Sequence, residues 1–235
     1  MGKLVRPRLG SPLFLGLHAF FAFLTISVLV AVATTESLDD AMAFYGMYHR
    51  NGWNQLIHFF GIPAILWTMI LLGAHVPWTT KLLIQWPTPH YFSWATFLYV
   101  FYTTYYIWID PIGGIGLMLP ILTGFYYTSV TWTAQEQNQY KDPPIVGPKL
   151  TRFIVAVQLL SWYLQIHPGH AVLEGSKPAL LDSLGASFST APLFGVYEGV
   201  WFLGLRTELR DRVREKIALA ITEACARGAT MRACG

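Results

Sequence analysis

Two of the seven histidines, His49 and His58, lie on either side of the dipeptide Asn51-Gly52. In one unbroken α-helix, a spacing of nine residues at about 100° each would put the two rings on opposite faces. Asn-Gly is a turn signal, and a break there lets both imidazoles face the same side. Asn54 precedes His58 by four residues and shares its helical face. This segment therefore predicts two imidazole ligands with an amide beside them.

A second pair, His167 and His170, flanks Pro168-Gly169 at the end of an apolar segment. Proline and glycine are expected to end the helix and to leave both rings on a short turn. Glu174 follows His170 by four residues, so its carboxylate shares that face if a helix resumes. Neutral imidazole binds iron, zinc, copper and nickel alike, so the four rings predict a metal site without selecting the metal. The alternative is that these histidines only hydrogen-bond lipid headgroups or loops.

The elements that must position these residues are apolar helices. The chain of 235 residues is 54% hydrophobic and 12% charged, whereas soluble domains carry about a quarter charged residues. The sequence predicts an all-α polytopic membrane helix bundle with five to six transmembrane helices. The predicted spans are residues 12–33, 56–76, 91–109, 112–132, 153–166 and 187–205. Four of them separate His58 from His167, an even number, so both histidine pairs are expected on one side of the membrane.

Three regions follow from the distribution of charge. Residues 1–37 are predicted to be an N-terminal extension with a signal anchor or signal peptide, because a basic start precedes a long apolar stretch. Residues 38–205 predict the membrane-embedded domain. Residues 206–235 predict an amphipathic basic tail, whose helix either lies on an anionic leaflet or is solvated. The basic residues border apolar segments without forming a continuous face, which disfavours nucleic acid as a partner.

Several other chemistries lack their motifs in this sequence. It contains no GxSxG nucleophile elbow, no P-loop and no HExxH zinc-protease motif. The HxxxH and HxxHH boxes of membrane di-iron desaturases and hydroxylases are also absent. Cys225 and Cys234 do not form a CxxC pair, so a thiolate metal site is not predicted.

Two stretches resemble the signatures of a family of small membrane proteins. The first contains Phe44-Tyr45, Tyr48-His49, Asn54, Ile57-His58 and Pro63. The second contains Gln165, Gly169-His170, Glu174-Gly175, Pro178-Ala179-Leu180-Leu181-Asp182, Ala191-Pro192-Leu193 and Glu198. Over residues 41–204 the chain resembles the 2-hydroxy fatty acid dioxygenases of the endoplasmic reticulum, a family long described as a domain of unknown function.

This resemblance implies an Fe(II)-dependent dioxygenase for the α-oxidation of 2-hydroxy fatty acids. Such an enzyme shortens the acid by one carbon, in the degradation of phytosphingosine and related sphingoid bases. The implied cofactor is Fe(2+), and the implied partners are a 2-hydroxy long-chain fatty acid, O2 and membrane lipid. No nucleic acid is implied, and no protein partner is identified. The implied location is the endoplasmic reticulum membrane, as an integral protein.

The resemblance also assigns candidate site residues. His49, His58 and His170 match histidines of the family, and His167 falls in the same cluster. Glu174 and Asn54 are the candidate catalytic residues, and both are expected to orient imidazole N–H groups.

Two other functions stay open from the residues alone. One is a non-catalytic membrane lipid-binding or scaffold protein, in which the histidines are structural. The other is a zinc-dependent lipid hydrolase, which would use the same histidines without O2.

Overall fold

The computed structural model describes residues 10–35, 37–84, 90–140 and 144–228, and only the backbone of residues 79–84, 90 and 91. Its helices are α1 (Pro12–Ala33), α2 (Leu38–Gly46), α3 (Gly52–Ala74), α4 (Trp94–Ile109), α5 (Pro111–Gly113), α6 (Leu119–Gln137), α7 (Pro148–Leu164), α8 (Leu184–Phe202) and α9 (Thr207–Ala226). Two strands, β1 (Pro77–Ile84) and β2 (His90–Ser93), pair antiparallel. The all-α prediction is confirmed, with this hairpin as an addition that the sequence analysis did not predict.

Within the residues that the structure describes, three helical segments are long and apolar enough to cross a membrane, judged by length and composition. They are α1, α3 and the continuous segment Pro111–Gln137, in which a π-helical turn (Gly114–Met118) joins α5 to α6. They coincide with the predicted spans 12–33, 56–76 and 112–132. Helix α4 has 16 residues, fewer than the ~20 that a span needs. The total of five to six spans therefore stays a prediction.

The predicted break at Asn51-Gly52 is confirmed. Helix α2 ends at Gly46, and α3 begins at Gly52. Asn51 Oδ1 accepts a hydrogen bond from the backbone N–H of Trp53 at 2.9 Å, which caps the new helix. The residues between the two helices form the turn that carries His49.

The predicted end of the helix at Pro168-Gly169 is wrong. Helix α7 passes directly into a π-helical segment, Gln165–Glu174, which ends at Gly175 with a φ of 61°. A π-helix bonds residue i to residue i+5, so its wider turn accommodates a proline that lacks an N–H. Glycine tolerates the left-handed conformation that ends the segment. His170 and Glu174 therefore lie on one continuous helical segment.

The described residues form two compact units, each considered by itself. Unit 1 comes from Met1–Leu24 and Ile65–Leu159, and unit 2 from Thr25–Ala64 and Leu160–Gly235. In unit 1, an apolar cluster is built from Phe14, Phe21, Val76 and Trp94.

Unit 1 also contains a buried polar contact that the sequence analysis did not predict. Glu136 accepts hydrogen bonds from the backbone N–H groups of Gly147 (2.8 Å) and Leu150 (3.2 Å). These groups lie at the N-terminus of α7, where a carboxylate is favourable. Glu136 Oε2 also lies 3.5 Å from His75 Nε2. His75 therefore has a structural neighbour and lies outside the metal site described below.

In unit 2, the C-terminal helix α9 packs on α2. Leu209 and Val213 are the buried residues of its apolar side. Ile217 lies against Gly46, the last residue of α2, so closely that an added Cβ at this glycine would overlap its side chain. The C-terminal helix therefore supports the helix that leads directly into the His49 turn.

Two of the basic residues of α9 pair with acids on α2. Arg212 Nε donates to Asp39 Oδ2 at 2.9 Å, and Lys216 Nζ donates to Asp40 Oδ1. The hydrogen bond from Lys216 lowers the pKa of Asp40, with a further contribution from the Ser37 hydroxyl. Exposed ion pairs contribute little to stability, so the apolar contact provides most of the attachment.

We expect Gly46→Val to destabilise the protein, because a branched side chain must enter the space occupied by Ile217 and Phe194. Overpacking of this kind costs about 1–3 kcal/mol, which lowers the thermal midpoint in detergent. The added substitution Ile217→Ala should restore part of the loss. Gly16→Val in α1 is the control, since nothing lies within 4 Å of its added Cβ. A double variant no more stable than Gly46→Val would contradict this explanation.

Candidate metal centre

His49, His58 and His170 come together in unit 2. Their candidate ligand nitrogens all lie within 4.8 Å of one another. The ring centroids are 4.3, 4.8 and 5.0 Å apart, and the ring planes meet at 76°, 73° and 79°. The three residues are only 3%, 5% and 2% exposed. Three imidazoles that converge from steep angles at one buried point can hold a single metal ion.

Main-chain carbonyls orient two of these rings. His49 Nδ1 lies 2.8 Å from Tyr45 O, and His58 Nδ1 lies 2.9 Å from Asn54 O. A carbonyl oxygen only accepts hydrogen bonds, so each Nδ1 carries the proton and each Nε2 keeps its lone pair. His49 Nε2 is buried and has no hydrogen-bond partner among the described residues. The helical spacing of four residues thus fixes the tautomer that a metal requires.

Burial keeps the rings uncharged. It lowers the pKa of His49 well below its ordinary value, and the nearby rings of His58 and His170 lower it further. Burial also lowers the pKa of His170 to about 4. Neutral imidazole is the form that binds a metal ion, so both rings are ready for ligation near pH 7.

The residues present fit a metal ion. Within the described ranges, His49 Nε2 is one of the buried polar atoms without a hydrogen-bond partner. Such atoms cost free energy unless something satisfies them, and a cation bound by the lone pairs would do so. Three imidazoles suit a borderline metal such as iron or zinc, and the donor set by itself does not choose between these.

Glu174 fastens the His49 turn to the segment that carries His170. Its Oε1 accepts hydrogen bonds from the backbone N–H groups of Arg50 and Asn51, each at 2.8 Å. The same oxygen accepts a bond from Asn54 Nδ2 at 3.0 Å. No imidazole is among the hydrogen-bond partners found for Glu174 in the described part of the chain. Among the described residues, Glu174 therefore binds the backbone of the turn and not an imidazole, contrary to the expectation from the sequence.

Asn54 contacts an imidazole through a different atom from the one expected. The sequence analysis assigned its side chain to an imidazole, but its main-chain oxygen accepts the bond from His58. The side-chain amide of Asn54 donates to Glu174. Asn54 therefore connects His58 to Glu174, the carboxylate that holds the His49 turn.

The structure does not bring His167 to this cluster. His167 is exposed, and its ring stacks on Tyr163 with 5.6 Å between centroids and 4° between planes. In an α-helix, a spacing of three residues leaves two side chains about 60° apart. The π-helical turn holds more residues, which increases the angle between His167 and His170.

The sequence analysis did not assign a role to two aromatic residues beside the cluster. Tyr45 stacks on the His49 ring with 4.0 Å between centroids and 13° between planes, and Phe194 of α8 lies 5.1 Å from Tyr45. Tyr45 precedes His49 by four residues, as Asn54 precedes His58. That shared spacing was the available signal for Tyr45, whereas Phe194 is distant in sequence and gave none.

A hydrogen-bonded link also joins the residue before His49 to a later loop. Tyr48 donates to Asp182 Oδ2 at 2.5 Å, and Lys177 Nζ donates to Asp182 Oδ1 at 2.5 Å. Burial raises the pKa of the Tyr48 hydroxyl, and the bond to Asp182 raises it further, so Tyr48 stays a donor. This link also restrains the His49 turn.

The fold and the site define an all-α chain with apolar, membrane-length helices and a buried three-histidine centre. The family model described as 2-hydroxy-palmitic acid dioxygenase Mpo1-like matches residues 35–200, and the chain belongs to this family. It is also 25% identical over 182 residues to the 2-hydroxy-palmitic acid dioxygenase MPO1 of Saccharomyces cerevisiae, which covers 77% of this chain and 90% of the yeast protein. No solved structure matches the chain. The family resemblance inferred from the sequence is thus confirmed.

We expect Glu174→Ala to weaken the metal centre, because it leaves two backbone N–H groups and the Asn54 amide without their acceptor. Each buried donor left unpaired costs about 1–3 kcal/mol. The thermal midpoint of the metal-free protein and its Zn(II) affinity should both fall. Glu174→Gln retains an acceptor oxygen and should lose less of both. Equal losses in the two variants would contradict the role of the oxygen.

We expect the metal-free protein to lose stability as the pH falls below about 6.5, the ordinary histidine value. The folded pKa of His170 is depressed to about 4, so the unfolded state takes up the proton first. The loss is about 1.4 kcal/mol per pH unit for each such group between the two values. Thermal midpoints at pH 7.5, 6.5 and 5.5 measure it. His170→Gln should reduce the dependence of the thermal midpoint on pH. His167→Gln, at an exposed position, is the control and should leave it unchanged. Equal slopes in the two variants would refute the assignment of this dependence to His170.

Proposed function

We propose that this chain is an Fe(II)-dependent dioxygenase that performs the α-oxidation of 2-hydroxy long-chain fatty acids. One observation carries the proposal: a buried cluster of three neutral histidines lies within the segment that matches the Mpo1-like family model. The name of the yeast relative describes a dioxygenase of 2-hydroxy-palmitic acid. At 25% identity, the substrate and the metal are proposed for this chain by analogy.

The proposed reaction balances without an external reductant. A 2-hydroxy acid, R–CH(OH)–COOH, and O2 give R–COOH, CO2 and H2O. The bond between C1 and C2 breaks, C2 is oxidised from an alcohol to a carboxyl carbon, and the former carboxyl group leaves as CO2. The substrate supplies all the electrons that reduce O2. The fatty acid becomes one carbon shorter.

The residues of this chain have separate tasks in the proposal. His49, His58 and His170 would hold the ion through their ring nitrogens, and burial keeps the rings of His49 and His170 neutral. The chemistry that bound Fe(II) supplies is the activation of O2, for which histidine ligands with open positions are suited. Glu174 holds the turn between the first two ligands, and the Tyr45 ring excludes water from one face of His49.

The two sides of helix α3 favour a lipid-like substrate in this proposal. Asn54 and His58 are buried on its inner side, whereas Trp53, Leu56 and Phe60 are 69%, 46% and 67% exposed on its outer side. The first two turns of one apolar helix thus place a polar centre beside a lipid-compatible surface. A long acyl chain would stay in the apolar phase, where each CH2 contributes ~0.8 kcal/mol. Residence in the endoplasmic reticulum membrane stays a prediction from the family resemblance.

The decisive experiment measures O2-dependent conversion of 2-hydroxypalmitate to the acid one carbon shorter, with protein purified in detergent and loaded with Fe(II). His49→Ala, His58→Ala and His170→Ala should each fall below about one hundredth of the wild-type rate, because each removes a ligand. His167→Ala is the matched control and should keep near-wild-type activity, because this ring lies outside the cluster.

The same assay separates the alternatives. Turnover under anaerobic conditions with Zn(II) would favour a hydrolase. Lipid binding that a chelator does not affect, with no product by mass spectrometry, would favour a non-catalytic protein. Full activity in the three cluster variants would refute the proposal.

A further inference from the structure

Two buried polar atoms near the centre have no hydrogen-bond partner in the described part of the chain: Asn54 Oδ1 and His170 Nδ1. Asn54 is 0% exposed and His170 is 2% exposed. Asn54 Oδ1 lies directly against Gly169, the residue before His170, and an added Cβ at this glycine would overlap the oxygen. Each unpaired atom costs free energy, and one can donate where the other accepts.

The neighbours of Asn54 fix the direction of its amide group. Nδ2 donates to Glu174, and a carboxylate only accepts, so the nitrogen and oxygen cannot be exchanged without losing that bond. The oxygen therefore faces the opposite side, toward the backbone at Gly169. The main-chain oxygen of the same residue already orients His58.

We propose that Asn54 is a positioning residue for two metal ligands. Its main-chain oxygen orients His58, and its side-chain oxygen accepts the Nδ1 proton of His170 once a metal is bound. His170 then offers Nε2 to the ion. This inference rests on the proposed function only to the extent that the site binds a metal.

The three ligands then obey one rule. Each donates from Nδ1 to an oxygen: Tyr45 O for His49, Asn54 O for His58 and Asn54 Oδ1 for His170. Such outer contacts fix the tautomer and the ring orientation of metal-bound histidines. The same pattern explains why residue 54 is an asparagine and residue 169 is a glycine. An asparagine at 54 supplies an acceptor for His170 and a donor for Glu174 together, and glycine at 169 leaves space for the amide oxygen.

The first test observes the tautomer directly. Protein with ¹⁵N-labelled histidine is loaded with Zn(II) in lipid nanodiscs, and the His170 resonances are assigned by their loss in His170→Gln. We expect a protonated Nδ1 and a metal-bound Nε2. Ligation of zinc through Nδ1 of His170 would overturn the proposal, and this outcome requires no variant of Asn54 to fold.

The second test measures Zn(II) affinity by competition with a chromophoric chelator. Asn54→Ala should lower the affinity about 10–100-fold, the usual effect of losing such a contact. Asn54→Asp alone would set a second carboxylate against Glu174, so it is combined with Glu174→Gln, whose amide can donate to the new aspartate. This double variant keeps an acceptor for Nδ1 and should recover most of the loss. Asn138→Ala, in the C-terminal cap of α6, is the matched control and should leave the affinity unchanged. Unchanged affinity in Asn54→Ala, or a double variant as weak as the alanine variant, would overturn the proposal.

These measurements separate the inference from the proposed function. Nε2 ligation of zinc in a protein without dioxygenase activity would support the role of Asn54 and refute the enzyme assignment. Dioxygenase activity with Nδ1 ligation would do the reverse.

Discussion

Three imidazole rings are buried at one point of unit 2, and two of their nitrogens have no hydrogen-bond partner among the described residues. In an apolar surrounding, such nitrogens raise the free energy of the folded state unless a cation or a hydrogen-bond partner satisfies them. Burial also keeps these rings neutral, with a single proton each, since it lowers the pKa of His49 and His170. The cluster therefore lowers the stability of the metal-free folded state, and a bound metal would raise that stability.

The neighbouring polar residues have the arrangement that such a centre needs. Glu174 and Asn54 are 120 positions apart, yet their hydrogen bond joins the segment of the first two ligands to the segment of the third. Glu174 further holds backbone N–H groups on the turn after His49. A buried network of this kind stabilises a site only when its members are satisfied together, because a partly satisfied network costs more than an apolar one. The position of each ligand thus depends on residues that do not touch the metal.

Local sequence patterns predicted one helix boundary correctly and one incorrectly. The Asn51-Gly52 break holds because the asparagine side chain caps α3, an interaction between residues two positions apart. The break predicted at Pro168-Gly169 fails because the backbone widens into a π-helix around the proline. Asn54 Oδ1 also lies against the backbone of this segment, where only glycine leaves enough space. A pattern read along the chain contains no information about such a neighbour.

The sequence by itself determined the all-α class and the family, and it predicted the apolar segments, three of which form membrane-length helices in the described residues. These features depend on composition and on spacings of a few residues, which act through local geometry and burial. Only the tertiary structure decided which histidines converge, that His167 stays outside, and that Glu174 holds a backbone turn. Those outcomes depend on contacts between segments more than a hundred residues apart, where the packing of whole helices sets the distances.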